Sequence, residues 1–126
     1  MTDILLATDA DWLVDDVEAA LGGEHLIHRV RAGIDVVPAI QEVDPDLVLL
    51  DLQIGNMGGV AACLAVKQRV IMGDLEDRPV LLLLDREVDT FLAKEADADG
   101  WLVKPLDAFG TLRAVDAALA GDAVTP

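Results

Sequence analysis

Asp46-Leu47-Val48-Leu49-Leu50-Asp51-Leu52-Gln53-Ile54-Gly55-Asn56-Met57-Gly58-Gly59 is the stretch on which the fold turns. Its apolar run lies between Pro45 and a glycine-rich turn. About four to eight apolar residues between turn signals read as a strand buried on both faces. The run stops at a carboxylate, Asp51, and a helical pattern follows the turn. In open parallel α/β sheets, ligands sit in the crevice outside the carboxyl ends of the strands. A charged residue at that exit is where chemistry is expected.

Working outward, Ile4–Thr8 is a short apolar strand, and Asp9-Ala10-Asp11 can cap the helix after it. Leu13, Val17, Ala20 and Leu21 repeat at helical spacing up to Gly22-Gly23. A weaker strand, Leu26–Val30, carries His25 and His28, which read as edge-strand surface residues because no third metal ligand accompanies them. A second helix runs from Ile34 to Val43 with Ile34, Val37, Ile40 and Val43 inward, and Pro38 sits in its tolerant first turn.

Past the central strand, a helix from Gly59 to about Met72 places Val60, Cys63, Leu64, Lys67 and Val70 at helical spacing. Val80–Leu84 is another buried strand, again followed by a carboxylate, Asp85. Val88, Phe91, Leu92 and Glu95 suggest a short helix, and Trp101–Val103 a short strand broken by Lys104-Pro105. The last helix, from about Asp107 to Ala120, puts Phe109, Leu112, Val115 and Leu119 on one face. Five strands alternating with five helices imply right-handed crossovers and a parallel sheet covered on both faces. The doubly wound order suited to five strands is 2-1-3-4-5, the flavodoxin-like α/β arrangement, in which strands one and three are neighbours. Asp9 and Asp51 then meet.

The 126 residues fit one domain, spanning 1–120, with 121–126 as a tail or the start of a linker. A hydrophobic content of 53% with only 3% aromatics gives a core of valine, leucine and alanine rather than rings. With 24 acids against 9 bases the formal net charge is −15, which opposes contact with nucleic acid or anionic membrane. Cys63 is the only cysteine, which excludes an intrachain disulfide, and its plainest role is a small buried residue. The start lacks a signal-peptide pattern and no run is long enough for a membrane helix, so a cytoplasmic protein is expected.

Two adjacent carboxylates raise each other's pKa unless a cation joins them. As hard oxygen ligands, Asp9 and Asp51, with waters and a backbone carbonyl, suit Mg²⁺. Lys104, at the exit of the fifth strand, reaches toward the same mouth. A carboxylate, a divalent cation and an ammonium together can accept a phosphoryl group. Each of the three side chains alone reads as an ordinary polar strand end; their convergence is what favours a site.

The chain resembles a response-regulator receiver domain, the phospho-acceptor module of two-component signalling, over residues 3–120. The resemblance is carried by Asp9, by Asp51 through Gly59 matching the family's D-L-x-M-P-G-M-D-G without a gap, by Ala96 through Trp101, and by Lys104-Pro105-Leu106-Asp107. It implies that Asp51 is phosphorylated by a sensor histidine kinase or a phosphotransfer protein. Asp9, Asp51 and the Gln53 carbonyl would hold Mg²⁺, Lys104 would pair with the phosphoryl group, and the Lys104-Pro105 peptide would be cis. Trp101 falls at the family's aromatic switch position, with packing between the last two helices as its plainer role. The family's face of helix four, strand five and helix five would meet a downstream protein or a second copy, with Phe91, Trp101 and Phe109 as contributors.

Four departures make the chain an atypical member. Thr8 stands where the family has a first acid, and Gly55 replaces the loop proline. At the end of strand four, Leu84-Asp85 replaces the switch serine or threonine, so Leu84 cannot bond a phosphate and Asp85 would repel one. Counting to Lys104 also shortens the following loop and helix by about two or three residues against the family pattern. An alternative is therefore a phosphorylation-independent pseudo-receiver acting by dimerisation, small-ligand binding or protein contact. An aspartate-dependent phosphatase needs a second acid two residues past its nucleophile, where Gln53 stands. No G-x-G-x-x-G or Walker loop is present.

Overall fold

A computed structural model describes residues 2–55 and 57–121. Asn56, in the glycine-rich stretch after Asp51, and residues 122–126 of the expected tail lie outside the described residues. Five strands, β1 (Thr2–Ala7), β2 (His25–Val30), β3 (Leu47–Asp51), β4 (Val80–Leu84) and β5 (Gly100–Val103), pair in parallel in the order β2-β1-β3-β4-β5. Helices α1 (Asp11–Leu21), α2 (Val36–Val43), α3 (Gly59–Ile71), α4 (Thr90–Glu95) and α5 (Ala108–Leu119) connect or follow them. The register sets Ile4 beside Leu47 and Ala7 beside Leu50, so β1 and β3 leave the sheet side by side.

Strand side chains alternate between faces, and here both faces are covered. Leu5, Ala7, Val48, Leu50, Val80, Leu82 and Leu84 point toward α2, α3 and α4. Ile4, Leu6, Leu47, Leu49, Leu81 and Leu83 point toward α1 and α5. Every residue of β3 and β4 is buried, which is why these strands read as unbroken apolar runs. Each such side chain contributes roughly 1.5–3 kcal/mol on burial, so the strands anchor the fold and the helices fit themselves to it.

The helix faces differ from the sequence expectation in several places. Val36 and Ile40 are the buried residues of α2, whereas Ile34 is exposed. Ala93 is the buried residue of α4, and Val88 and Phe91 are exposed. Ile34 and Val88 share one cause: each lies in a 3-10 turn, Gly33–Asp35 or Glu87–Asp89, that precedes its helix. A 3-10 turn has about three residues rather than 3.6, so a face counted back through it as α-helix is rotated. In α3, Gly59, Ala62, Cys63 and Val66 are buried and Leu64 is exposed; in α5, Thr111, Val115 and Ala118 are buried and Phe109 is exposed. Small residues and valines meet the leucine-covered sheet most closely there, with Val60, Val70, Leu112 and Leu119 packed at the margins.

Two further expectations are corrected. His25 is buried rather than on the surface, with Nε2 3.4 Å from Asp116 Oδ1, while His28 Nε2 lies 3.0 Å from Asp3 Oδ1. The cap position of α1 is Ala10, and no side chain caps it. At α5 the cap does form, since Asp107 Oδ2 accepts from the Gly110 N–H at 2.8 Å. Cys63 is buried as expected; its Sγ donates to the Ala96 carbonyl at 3.4 Å, and burial pushes the thiol up to about 11. Among the described residues, no helix is long and apolar enough to cross a membrane.

Candidate functional site

At the carboxyl ends of β1, β3 and β5 lies an open cleft of about 300 Å³, lined by Asp9, Trp12, Asp51, Gln53, Asp85 and Lys104. Thus Asp9, Asp51, Gln53 and Lys104, named from the sequence, are brought together, with Asp85 among them. Leu84 is not among the lining residues; it is fully buried in the core on the α2–α3–α4 side. Trp101 pairs with Leu82 in the sheet and packs on that same side, with Lys94 Nζ 5.9 Å from its ring centre. Its indole ring therefore lies toward α4 rather than between the last two helices, and the buried Nε1–H has no hydrogen-bond partner among the described residues.

Asp51 is the last residue of β3 and is buried. Its Oδ2 accepts from the Thr8 hydroxyl at 2.7 Å, and its Oδ1 accepts from the Gln53 N–H at 3.0 Å and from Lys104 Nζ. The loop after it is fastened as well: Leu52 N–H donates to the Leu83 carbonyl and Ile54 N–H to the Asp51 carbonyl. Gly59 packs against this loop so closely that a Cβ would stand 2.5 Å from the Asp51 carbonyl oxygen and 2.9 Å from Leu52 Cα. Backbone cannot yield there as a flexible side chain would. Gly59→Ala is expected to cost about 1–3 kcal/mol through overpacking, read as a lower urea midpoint; an unchanged midpoint would mean that the loop moves aside freely.

In the sequence Thr8 reads only as a missing acid; its position shows more. It is fully buried, donates to Asp51 and accepts from the Ala10 N–H at 3.1 Å, tying β1's exit to Asp51. Arg29 adds a second tie that the sequence reading missed. It donates to the Thr8 carbonyl at 3.0 Å and to Asp11 Oδ1 at 2.8 Å, and its guanidinium holds the Asp11 carboxyl below the usual range. The signal was an arginine near the end of a weak strand, which alternation alone could not place.

Lys104 follows a β5 that ends at Val103, and the Lys104-Pro105 peptide is cis. Its ammonium stands between two carboxylates, donating to Asp51 Oδ1 and, at 2.9 Å, to Asp85 Oδ1. Asp85 Oδ2 accepts from Gln53 Nε2 at 2.8 Å. Burial pushes the Asp85 carboxyl upward, but the Lys104 and Gln53 hydrogen bonds and the Lys104 and Arg86 charges outweigh it, so its pKa lies below the usual value. A depressed carboxyl adds stability above its unfolded pKa and loses it as pH falls through the folded one. Acid titration is therefore expected to weaken the parent more than Asp85→Asn below about pH 4; equal acid sensitivity in urea melts would contradict the pairing.

The donors in the cleft fit a small hard cation. Asp9 is exposed at the mouth, Asp51 presents a carboxylate beside it, and carbonyl and carboxylate oxygens are the ligands that Mg²⁺ prefers. Thr8 contributes a hydroxyl already spent on Asp51 and no charge. Among the described residues, the one group of three potential ligands within 4.8 Å of one another is elsewhere, at Glu24, His25 and Asp116.

No family model matches the chain. The DNA-binding response regulator MtrA of Mycolicibacterium paratuberculosis is 33% identical over 105 residues, which are 81% of this chain and 44% of MtrA. The signal receiver domain of a signal transduction histidine kinase from Syntrophus aciditrophicus superposes with a TM-score of 0.84 at 26% identity, covering 96% of this chain and 92% of that one. The BeF3-activated receiver domain of Klebsiella pneumoniae RstA shares the fold, with a TM-score of 0.81 at 22% identity over 93% and 97% of the two chains. With this sheet order and these relatives, the chain is a receiver domain. Receiver domains of this kind are parts of two-component signalling proteins and are signalling modules rather than typical enzymes. The chain spans less than half the length of the curated relatives it matches.

Proposed function

We propose that the chain accepts a phosphoryl group on Asp51 from a histidine kinase or phosphotransfer protein, with Mg²⁺, and passes the signal on by protein contact. The observation that carries this reading is the setting of Asp51: buried at a strand exit, bonded by Thr8, the Gln53 N–H and Lys104, and facing an open cleft. In the transfer, an Asp51 oxygen forms a bond to phosphorus while the bond from phosphorus to the donor's imidazole nitrogen breaks. The electron pair leaves with that nitrogen. Lys104 balances charge on the phosphoryl oxygens as they approach. Asp9, Asp51 and the Gln53 carbonyl would hold Mg²⁺, which supplies the remaining positive charge when bound.

Receivers act inside the cell, so a cytoplasmic setting follows from this reading. The net charge of −15 argues that any contact with nucleic acid belongs to another chain or segment. Exposed Phe91 on α4, Phe109 on α5 and Val88 in the turn before α4 supply apolar surface for a downstream protein or a second copy. A second reading, a phosphorylation-independent interaction module, is favoured by one observation, the Asp85 carboxylate already seated on Lys104.

Incubation with Mg²⁺ and acetyl phosphate separates the two, because the acceptor gains one phosphoryl increment in intact mass and the interaction module gains none. Metal binding is open to an independent check, since Trp12 lines the cleft and is exposed. Thr8→Asp adds a charged ligand and is expected to tighten Mg²⁺ binding several-fold by Trp12 quenching. Unchanged affinity would place residue 8 out of the metal's reach.

A further inference from the structure

Asp85 is the one charged group of the cleft that the proposed transfer does not use. We propose that Asp85 is a built-in competitor for Lys104: its carboxylate holds the ammonium that a phosphoryl group on Asp51 needs, and transfer to Asp51 expels it. The inference rests on the acceptor reading above and names the residue that regulates that acceptor.

Both oxygens of Asp85 are engaged, Oδ1 by Lys104 Nζ at 2.9 Å and Oδ2 by Gln53 Nε2 at 2.8 Å. The contact thus fastens the loop after β3 and the exit of β5 to the exit of β4. Before transfer, one ammonium serves two carboxylates. Afterwards the Asp51 oxygen is esterified, but the phosphoryl group brings roughly two negative charges, with Asp85 still sharing the single ammonium. Like charges confined to one site disfavour each other's ionised forms, so one anion has to leave.

Exposure decides which. The side chain of Asp51 is 5% exposed and that of Lys104 9%, whereas that of Asp85 is 31% exposed and can turn into water. Its departure also has a mechanical consequence. Asp85 and Arg86 join β4 to the 3-10 turn at Glu87–Asp89 and then α4. Arg86 is bonded to buried Asp89 through both its backbone N–H, at 3.1 Å, and its guanidinium, at 3.2 Å. Displacement of Asp85 is therefore transmitted to the turn that carries exposed Val88 and leads to Phe91. Repulsion of a carboxylate moves this segment.

The test is the labelling rate on acetyl phosphate at saturating Mg²⁺, in which the donor's P–O bond breaks, acetate leaves with the electron pair, and the Asp51 O–P bond forms. Asp85→Asn is expected to label about tenfold faster than the parent, the size of one charge-assisted hydrogen bond released. Asp85→Glu, which keeps the charge, should return toward the parent rate. In a Lys104→Met background, Asp85→Asn should bring no acceleration, because the competitor acts only through the lysine; a purely structural residue would not show that dependence. Equal or slower labelling of Asp85→Asn beside a labelled parent overturns the competitor alone. Absence of label on parent and Asp85→Asn alike, with both folded by circular dichroism, overturns the acceptor reading and the competitor with it.

Discussion

Lys104→Met is expected to lower stability by about 3 kcal/mol or more at neutral pH. Removing one partner of a buried ion pair typically costs about 3–5 kcal/mol because a charge is left without compensation. Lys104 and Asp51 are such a pair, with side chains 9% and 5% exposed. The Thr8 hydroxyl and the Gln53 N–H remain on Asp51 after the substitution, which keeps the loss from being larger. Asp85, at the rim, can turn outward and adds little. Urea denaturation measures the loss, and the same substitution in Asp51→Asn should cost clearly less because the buried carboxylate is gone. A loss under about 1 kcal/mol in the parent would mean that water screens the pair as it does surface ion pairs.

The second large effect concerns chemistry rather than stability. Asp51→Asn is expected to abolish labelling by a phosphodonor, since a neutral amide is a poor nucleophile and offers no carboxylate to the metal. The fold should survive, because Lys104 keeps Asp85 as its partner and the leucines of β3 are untouched. Asp9 and Asp85 remain carboxylates in that variant, so residual label on either would appear as an increment that Asp51→Asn fails to remove. Near-native circular dichroism with no increment is the expected pair of observations.

Much of this arrangement could be read from the chain because its signals are strong and local. Leu47–Leu50 and Val80–Leu84 are long enough, apolar enough and bounded clearly enough to be strands covered on both faces. Alternation with helices then fixes parallel crossovers, and the doubly wound order brings Asp9 and Asp51 to one mouth. The meeting of Lys104 with Asp51 follows from the same geometry, since β5 also ends there.

What escaped the sequence lies below the level of elements. The 3-10 turns before α2 and α4 shift the helical phase, which is why Ile34 and Val88 face solvent instead of the core. Phe109 illustrates a different failure, in which helical spacing grouped it with Leu112, Val115 and Leu119, although the buried face is Thr111, Val115 and Ala118. Thr8 was legible as an absent charge but not as a donor to Asp51. Asp85 was legible as a charge that would oppose a phosphate; that it is held by Lys104 and Gln53 depends on side-chain directions just past a strand end, which no periodicity encodes.

The most direct measurement is the location of the label. The parent chain would be incubated with Mg²⁺ and acetyl phosphate, cleaved, and the modified peptide identified by mass spectrometry, with hydroxylamine lability as the mark of an acyl phosphate. A single hydroxylamine-labile phosphoryl group on the peptide containing Asp51, lost in Asp51→Asn, is the predicted result. A label on any other residue, or no label on a folded parent chain, would contradict the assignment of Asp51 as the acceptor.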